Sequence, residues 1–166
     1  MKPSINCINL IKHYEGFKAQ PYLCPANVVT IGYGTTVYEN GKKVRLNDPA
    51  ITEADAVKLL MNDVEVFASQ VNKLVRVPIP QNLFDALVSF CYNLGDGALK
   101  QSTLLKLINQ NIVVTQPGTW KKQIATEFNK WIKAKVKGVL KILPGLVARR
   151  NSEALLATDG VLKFFN

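Results

Sequence analysis

The sequence has little of the residue types that metal sites and disulfide frameworks require. It contains one histidine, His13, and three scattered cysteines, Cys7, Cys24 and Cys91. Zinc sites and small disulfide-bonded folds need clustered or paired ligands, so we expect no metal, disulfide framework or cofactor. An odd cysteine count is typical of a cytosolic protein with free thiols. We assign His13 no role, because it has no partner cluster.

Long apolar runs are also missing. No stretch approaches the roughly 18 uninterrupted apolar residues of a spanning helix. The first six residues, Met1 to Asn6, lack the apolar core of a signal peptide. These two absences predict a cytosolic protein. If it acts outside the cytosol, another factor has to release it.

Acidic residues are few, since 12 Asp and Glu stand against 21 Lys and Arg and the formal net charge is +9. Such an excess attracts polyanions, namely nucleic acid, anionic lipid or an acidic wall polymer, and charge alone does not choose among them. The hydrophobic fraction of 48% and the charged fraction of 20% are those of a globular protein. A chain of 166 residues allows one domain with a substantial core.

The spacing of apolar residues and turn signals divides the chain into three parts. Residues 4–13 predict an amphipathic helix, and residues 16–46 predict strands and turns, with an Asn-Gly turn at Asn40-Gly41. A capping pattern at residues 52–55 begins a long helix that Pro78 ends. Everything after this helix is predicted to be helical, over residues 81–93, 102–110, 119–135 and 145–157.

Three motifs occur in order in the first, middle and last thirds of the chain. They are Glu15-x8-Cys24-x5-Thr30 followed by Ile-Gly-Tyr-Gly, then residues 86–90 with Asn93-Leu94-Gly95, and finally residues 143–146 with Arg149, Arg150 and Glu153. Each motif alone is a weak signal. Together they resemble the phage-type lysozymes of glycoside hydrolase family 24, in which an aspartate usually stands where this chain has Cys24.

The resemblance implies an α+β, lysozyme-like fold in one domain of residues 1–166. Its parts would be a β-rich lobe (14–51), a connecting helix (52–77) and a helical lobe formed by 1–13 and 78–166. It also implies an endolysin muramidase that cuts the β-1,4 bond between N-acetylmuramic acid and N-acetylglucosamine in peptidoglycan. Such an enzyme waits in the host cytoplasm for a holin to give it access to the periplasm.

A competing hypothesis is a catalytically silent basic module that binds the cell wall or nucleic acid. The sequence shows no helix-turn-helix spacing or aromatic RNA-binding motif, so we expect no nucleic-acid partner. We expect a monomer whose partner is peptidoglycan.

On this resemblance, Glu15 is the proton donor to the leaving oxygen, and it has to be protonated near neutral pH to serve. Thr30 would help to hold the attacking water, because a hydroxyl both donates and accepts. A thiol with a reference pKa of about 8.5 is a poor base at pH 7, so the role of Cys24 stays open. It is a thiolate base or nucleophile, a group that only orients water, or the mark of an inactive site; we favour participation.

Other residues of the motifs suggest substrate binding or support. Thr35 stands where the family often has a histidine, and we expect it to be structural. For Arg149 and Arg150, surface solvation is favoured slightly over an ion pair with Glu15. An amide and an aromatic face suit an N-acetylated sugar, so Tyr92 and Asn93 are predicted to bind substrate, with helix-end packing and capping as an equal alternative for each. Tyr33 and Thr36 are also predicted to bind substrate.

Two further hypotheses concern redox and lipid. In an oxidising compartment, Cys7 and Cys24 could form a disulfide that blocks the cleft. Residues 120–143 hold seven lysines and one glutamate among aromatic and aliphatic residues. This segment is either the basic outer face of a helical lobe, which we favour, or a cationic amphipathic segment that disturbs anionic outer-membrane lipid.

Overall fold

A computed structural model describes residues 1–24 and 27–166, and in those ranges it contains eight helices and four short strands. The strands form two separate two-stranded antiparallel sheets, which confirms the predicted α+β class. Within the described ranges, no helix combines the length and the apolar character needed to cross a membrane. In chain order the elements are α1 (Ile5–Glu15), β1 (Lys18–Leu23), β2 (Val29–Gly32), α2 (Glu53–Leu74), α3 (Gln81–Leu94), α4 (Asp96–Gln101), α5 (Thr103–Asn109), α6 (Ile112–Thr115), α7 (Trp120–Phe128), β3 (Lys133–Val136), β4 (Val139–Ile142) and α8 (Pro144–Asp159).

Helix α1 carries Glu15 as its last residue and is fixed at its start by side chains. The Ser4 hydroxyl accepts a hydrogen bond from the Asn6 amide at 3.1 Å, which makes Ser4 the N-cap. The same hydroxyl donates to Asp85 of α3 at 2.5 Å. Gly16 ends the helix with a φ of +69°, a conformation that glycine adopts at little cost. The chain therefore turns away from the helix directly after Glu15.

Strands β1 and β2 form a hairpin after α1. Tyr22 pairs with Thr30 and Leu23 pairs with Val29, and the register shifts between Lys18 and Tyr22. Such a shift bends a strand and redirects its side chains. Thr30 is thereby placed directly across the sheet from Tyr22.

A smaller turn follows β2. An isolated bridge joins Val37 and Lys43, and the Tyr38 amide donates to the Lys42 carbonyl at 2.8 Å. Gly41 has a φ of +77°, which confirms the turn predicted at Asn40-Gly41. We call residues 37–43 the short hairpin.

Helix α2 is the long connecting helix that the sequence predicts, with 22 residues. The Thr52 hydroxyl accepts from the Asp55 amide at 3.1 Å and donates to the Asp55 carboxylate at 2.7 Å, as the capping pattern implies. Helix α2 contacts β2 and α3, so it connects the β-rich part to the helices. Its buried residues recur every three or four positions, at Ala56, Leu60, Val64, Ala68 and Val71.

Helix α3 lies at the centre of the core. Its residues 83–91 are buried without interruption, which is typical of a helix surrounded by other elements. Helices α1, α2 and α8 all pack against it. This packing is what brings the end of α1 to the first half of α8.

The prediction of a helix over residues 119–135 is wrong beyond Phe128. Helix α7 ends there, and β3 and β4 form an antiparallel hairpin instead. Lys137 and Gly138 at its turn have φ values of +50° and +80°, the two-residue turn geometry that matches the twist of paired strands. The predicted break at residues 95–97 is also too long, because helix α4 begins at Asp96.

Candidate active site

Glu15 lies where the end of α1 meets α8 and the glycine-rich segment after β2. Its side chain is 24% exposed, and Oε1 accepts a hydrogen bond from Arg149 Nη1 at 2.5 Å. A Cβ placed on Gly34 would lie 3.9 Å from Glu15 Oε2. One oxygen of the carboxyl group is therefore held by α8, while the other lies beside Gly34.

Arg149 is buried and balanced by two carboxylates. In addition to its bond with Glu15, Nε donates to Glu153 Oε1 at 3.2 Å and Nη2 donates to the Ser89 carbonyl oxygen at 3.2 Å. Burial alone would lower the pKa of Arg149, but the charges of Glu15 and Glu153 outweigh burial and raise it. Arg149 is therefore a fixed cation that orients Glu15. The prediction of surface solvation is wrong for it.

Arg150 is fully buried and orients Asn93. Its Nη2 donates to Asn93 Oδ1 and to Glu153 Oε1, both at 3.0 Å. The guanidinium lies 5.0 Å from the ring centre of Phe90. Burial lowers the pKa of Arg150, although the charge of Glu153 opposes this effect. Surface solvation is wrong here too, and Arg150 sets the direction of the Asn93 amide.

Thr30 and Cys24 lie around Tyr22 on the first hairpin. Thr30 is 4% exposed, and its hydroxyl donates to the Val28 carbonyl at 3.0 Å. Cys24 follows β1 and is partly exposed. Burial raises the pKa of Tyr22, and the charges of Glu15 and Cys24 raise it further. Tyr22 pairs with Thr30 across the hairpin, and Cys24 follows Tyr22 by two residues, so Thr30 and Cys24 lie at the same end of this hairpin.

A cavity of about 320 Å³ opens beside Glu15, and we call it the inner cavity. The Tyr92 hydroxyl donates to the Tyr33 carbonyl at 2.8 Å and would lie 3.2 Å from a Cβ on Gly34. With a φ of +112°, Gly34 therefore leaves no room for a side chain without strain. A mainly apolar cavity with few polar groups is typical of a ligand site. It is lined by Gly34, Thr36, Val37, Asp63, Val66, Phe67 and Tyr92.

A second depression, of about 670 Å³, lies between α2 and the short hairpin, and we call it the outer groove. It shares Val37, Asp63 and Val66 with the inner cavity, so the two adjoin. Together they offer an extended surface that begins near Glu15 and continues along α2. This shape suits a chain-like ligand.

A family model described as phage lysozyme matches residues 12–153, which include all three motifs. The chain belongs to the phage lysozyme family. It is 42% identical over 158 residues to the endolysin of Bacillus phage B103, covering 94% of this chain and 54% of that protein. The chain therefore spans about half the length of this relative.

Two solved structures share the fold of this family member. The endolysin of Escherichia coli O157:H7 phage FAHEc1 matches with a TM-score of 0.86 and 37% identity, over 98% of this chain and 97% of that one. The muramidase domain of SpmX from Asticaccaulis excentricus matches with a TM-score of 0.77 and 34% identity, over 93% of this chain and 96% of that one. These matches confirm the predicted lysozyme-like fold.

Tyr33 contributes to this lysozyme cleft through its backbone. Its side chain is 3% exposed, and its hydroxyl donates to Glu53 Oε1 at 2.6 Å. Its ring lines a different cavity, together with Lys12 and Phe17. Tyr33 is not among the residues that line the inner cavity, and it is connected to that cavity by its carbonyl, which accepts from Tyr92. Thr36 and Tyr92, by contrast, line that cavity.

Asp63 lines both the inner cavity and the outer groove, although none of the three sequence motifs includes it. Thr35, which is 1% exposed, donates to Asp63 Oδ2 at 2.6 Å, so the family's usual histidine position here carries a hydroxyl donor. A signal was present in the sequence, because Asp63 falls at helical spacing from Leu60 and Phe67 on the inward side of α2. An acid in an apolar stripe requires a partner or a function.

Two of the three cysteines lie in the core. Cys7 is fully buried and unbridged in this structure, so a disulfide with Cys24 would require the core around Cys7 to open, and its formation in an oxidising compartment stays a prediction. Burial raises the pKa of Cys7, and it raises the pKa of Cys91 to about 12. Cys91 is buried as predicted. In the described part of the chain, no group of three or more His, Cys, Asp or Glu side chains is placed to hold a metal ion.

Proposed function

We propose that this protein is an endolysin muramidase that hydrolyses the β-1,4 bond between N-acetylmuramic acid and N-acetylglucosamine in peptidoglycan. The observation that carries the proposal is a single carboxyl, Glu15, held by buried Arg149 at the edge of the inner cavity. Family membership and the likeness to a muramidase domain support it. Residues 1–166 would act as one domain and as a monomer.

Glu15 is the proton donor of the proposed reaction. A guanidinium only donates hydrogen bonds, so Oε1 accepts from Arg149 and Oε2 is left as the oxygen that takes up and transfers the proton during the reaction. Oε2 lies beside Gly34, on the side of the inner cavity. When the glycosidic bond breaks, Oε2 gives its proton to the leaving oxygen, and Arg149 stabilises the carboxylate that forms.

In the proposed reaction, Thr30 positions the attacking water and Cys24 takes part in the attack. Since the Thr30 hydroxyl donates to a backbone carbonyl, its oxygen is left to accept a hydrogen bond from water. We infer that Cys24 takes part where related lysozymes usually carry an aspartate. A nucleophilic thiolate would give retention of configuration, and a water-activating thiolate would give inversion.

The predicted binding residues divide into two kinds in this proposal. Thr36 and Tyr92 contact the sugar directly, because both line the inner cavity. Asn93 presents an amide that Arg150 holds in one orientation. Tyr33 is a positioning residue whose carbonyl fixes the Tyr92 hydroxyl.

Turbidity clearing of chloroform-treated Gram-negative cells tests this proposal. Wild type is expected to clear the cells, and Glu15→Gln is expected not to, because an amide of the same size has no acidic proton to transfer. Asp159→Asn removes the same charge from an exposed position and should clear normally. Binding to cells without clearing by the wild type would instead support the silent wall-binding module.

We further propose that the β3–β4 hairpin binds anionic lipid. Four large apolar side chains on it are 36–60% exposed, at Val136, Val139, Leu140 and Ile142. The chain has no acidic residue between Glu127 and Glu153. Exposed apolar groups among cations are typical of segments that bind membrane interfaces. The lysines of the hairpin, which form no ion pair within the described residues, are Lys133, Lys135, Lys137 and Lys141.

Vesicle sedimentation tests the lipid proposal. Wild type is expected to bind phosphatidylglycerol vesicles and not phosphatidylcholine vesicles. The double variant Lys135→Gln/Lys137→Gln should bind several-fold more weakly while still clearing permeabilised cells. Lys100→Gln/Lys106→Gln, a control of equal charge on exposed helix positions, should bind normally. An equal loss in both double variants would contradict a role for the hairpin.

Release from the host cytoplasm to the periplasm by a holin is part of the proposal, supported by family membership. Expression of the protein alone should leave host cells intact. Co-expression with a holin should lyse them within minutes. Lysis without the holin would contradict this route.

A further inference from the structure

Asp63 lies where the inner cavity meets the outer groove, and it lines both. Its Oδ2 is fixed by buried Thr35 at 2.6 Å. Among the described residues, no hydrogen bond or ion pair engages Oδ1. The carboxyl group is therefore held from the protein side and has an acceptor oxygen available to a ligand.

This position of Asp63 is unfavourable for the empty protein. Burial raises the pKa of Asp63, and the hydrogen bond from Thr35 only partly opposes the effect. The described residues provide it with no cationic partner, although the chain carries a net charge of +9. A partly buried carboxyl without a counter-ion in a cavity is typical of a binding site.

The rest of the inner cavity specifies the ligand group. Val37, Val66 and Phe67 provide apolar wall, and the Tyr92 ring adds to it. A matching group must place an N–H or O–H donor next to a small apolar part. The 2-acetamido group of an amino sugar does this, because its N–H and its methyl are close together. A free amine would suit the carboxyl but not the apolar wall.

We propose that Asp63 accepts a hydrogen bond from the acetamido N–H of a sugar bound in the inner cavity, with the acetyl methyl packed against Val66 and Phe67. The inference rests on the proposed muramidase function and names the group that sets the register of the glycan. Because Gly34 separates this cavity from Glu15 Oε2, a sugar held by its acetamido group has its glycosidic bond near the proton donor.

Steady-state kinetics on soluble peptidoglycan fragments test the role of Asp63. Asp63→Ala is expected to raise KM about tenfold to a hundredfold, the effect of losing a hydrogen bond to a charged group, with kcat within about threefold of wild type. Asp63→Asn keeps an acceptor oxygen, so its KM should rise less. Asp159→Asn, the exposed charge control, should leave both constants unchanged. An unchanged KM in Asp63→Ala would overturn the inference.

Thermal unfolding separates binding from a structural role. Since the pKa of Asp63 is raised in the folded state, its contribution to stability is greatest below its ordinary pKa of about 4 and is lost as pH rises through the raised value. Other titratable groups also lie near Asp63. Burial raises the pKa of Tyr92 above its ordinary value, so Tyr92 stays neutral from pH 3 to pH 7. Glu39 and Glu65 line the outer groove beside Asp63. Asp63→Asn should therefore raise Tm at pH 7 and change it little at pH 3. Parallel losses of Tm and affinity would overturn the inference.

Saturation-transfer NMR identifies the sugar group. The probe is a tetrasaccharide of alternating N-acetylglucosamine and N-acetylmuramic acid, added to the Glu15→Gln variant so that it is not cut. Its acetyl methyl signals should receive the strongest saturation and lose it in Glu15→Gln/Asp63→Ala. Equal saturation of methyl and ring protons would overturn the acetamido assignment. Failure of wild type to clear cells would count against the proposed function instead.

Discussion

The orientation of Glu15 depends on a group of buried charges. The carboxylate oxygens of Glu153 lie 2.9–3.2 Å from guanidinium nitrogens of Arg149 and Arg150. Arg149 in turn donates a hydrogen bond to Glu15. Removing these ions from water costs several kcal/mol each, and only close, well-directed pairing offsets that cost. Two arginines and two glutamates balance in charge. The main effect of these buried ion pairs is therefore to fix the position of the Glu15 carboxyl group, and their net contribution to stability is small.

Glu153→Gln should destabilise the protein strongly, because it leaves two buried guanidinium groups with one carboxylate. We expect the free energy of unfolding to fall by about 3–5 kcal/mol, measured by denaturant titration. Asp159→Asn breaks an ion pair with Lys121 whose side chains are 45% and 54% exposed. Solvent screening limits its effect to below about 1 kcal/mol. Equal effects of the two changes would contradict the assigned role of Glu153.

Cys24 is the residue whose chemistry departs most from the family pattern. Cys24→Asp restores the usual carboxylate and is expected to keep activity, whereas Cys24→Ser should lose most of it because a hydroxyl is a far weaker base. Clearing rates measure the loss, and NMR of the product anomer shows whether configuration is retained or inverted. An unimpaired Cys24→Ser variant would mean that the thiol is not needed.

At the level of single elements, α1 is tied to the rest of the protein at both ends. Asp85 of α3 accepts from the Ser4 amide at 3.0 Å and from its hydroxyl at 2.5 Å, while Arg149 holds Glu15 at the other end. The helix that carries the proton donor therefore takes its position from α3 and α8. The apolar face of α1 packs against the core through Cys7, Leu10 and Ile11.

Removing the tie at the start of α1 should loosen this helix. Asp85→Ala leaves the Ser4 donors without their partner, and we expect the free energy of unfolding to fall by about 1–3 kcal/mol. Hydrogen exchange of the first turn of α1 should become faster. Gln81→Ala removes only one donor to Asp85, at 2.9 Å, and should have the smaller effect. Unchanged exchange in Asp85→Ala would contradict the tie.

The β3–β4 hairpin stands where apolar spacing predicts the end of a helix. Apolar residues over 119–135 fit a helical period, whereas Lys137-Gly138 forms a tight turn. A two-residue turn with both φ values positive specifies paired strands more strongly than apolar spacing specifies a helix. Spacing alone does not separate the two structures here, because short amphipathic runs satisfy both periods.

At the scale of the whole molecule, the charge of +9 favours approach to anionic walls and membranes. Long-range attraction of this kind weakens as salt shortens the screening length, from about 14 Å near 50 mM to about 6 Å near 300 mM. Clearing of whole cells should therefore slow several-fold over this range. Cleavage of a short uncharged sugar oligomer should change little, and an equal salt effect on both substrates would contradict long-range attraction.

By itself the sequence determined the local features of this protein. The cap at Thr52, the turn at Asn40-Gly41 and the spacing from Glu15 to Thr30 depend on residues close together in the chain, and each could be read from composition and order. Only the tertiary structure decided the state of the buried charges. Arg149 meets Glu15 across 134 positions of sequence, and Thr35 meets Asp63 across 28. Whether a charge is solvated or buried depends on such distant partners, and no local pattern records them.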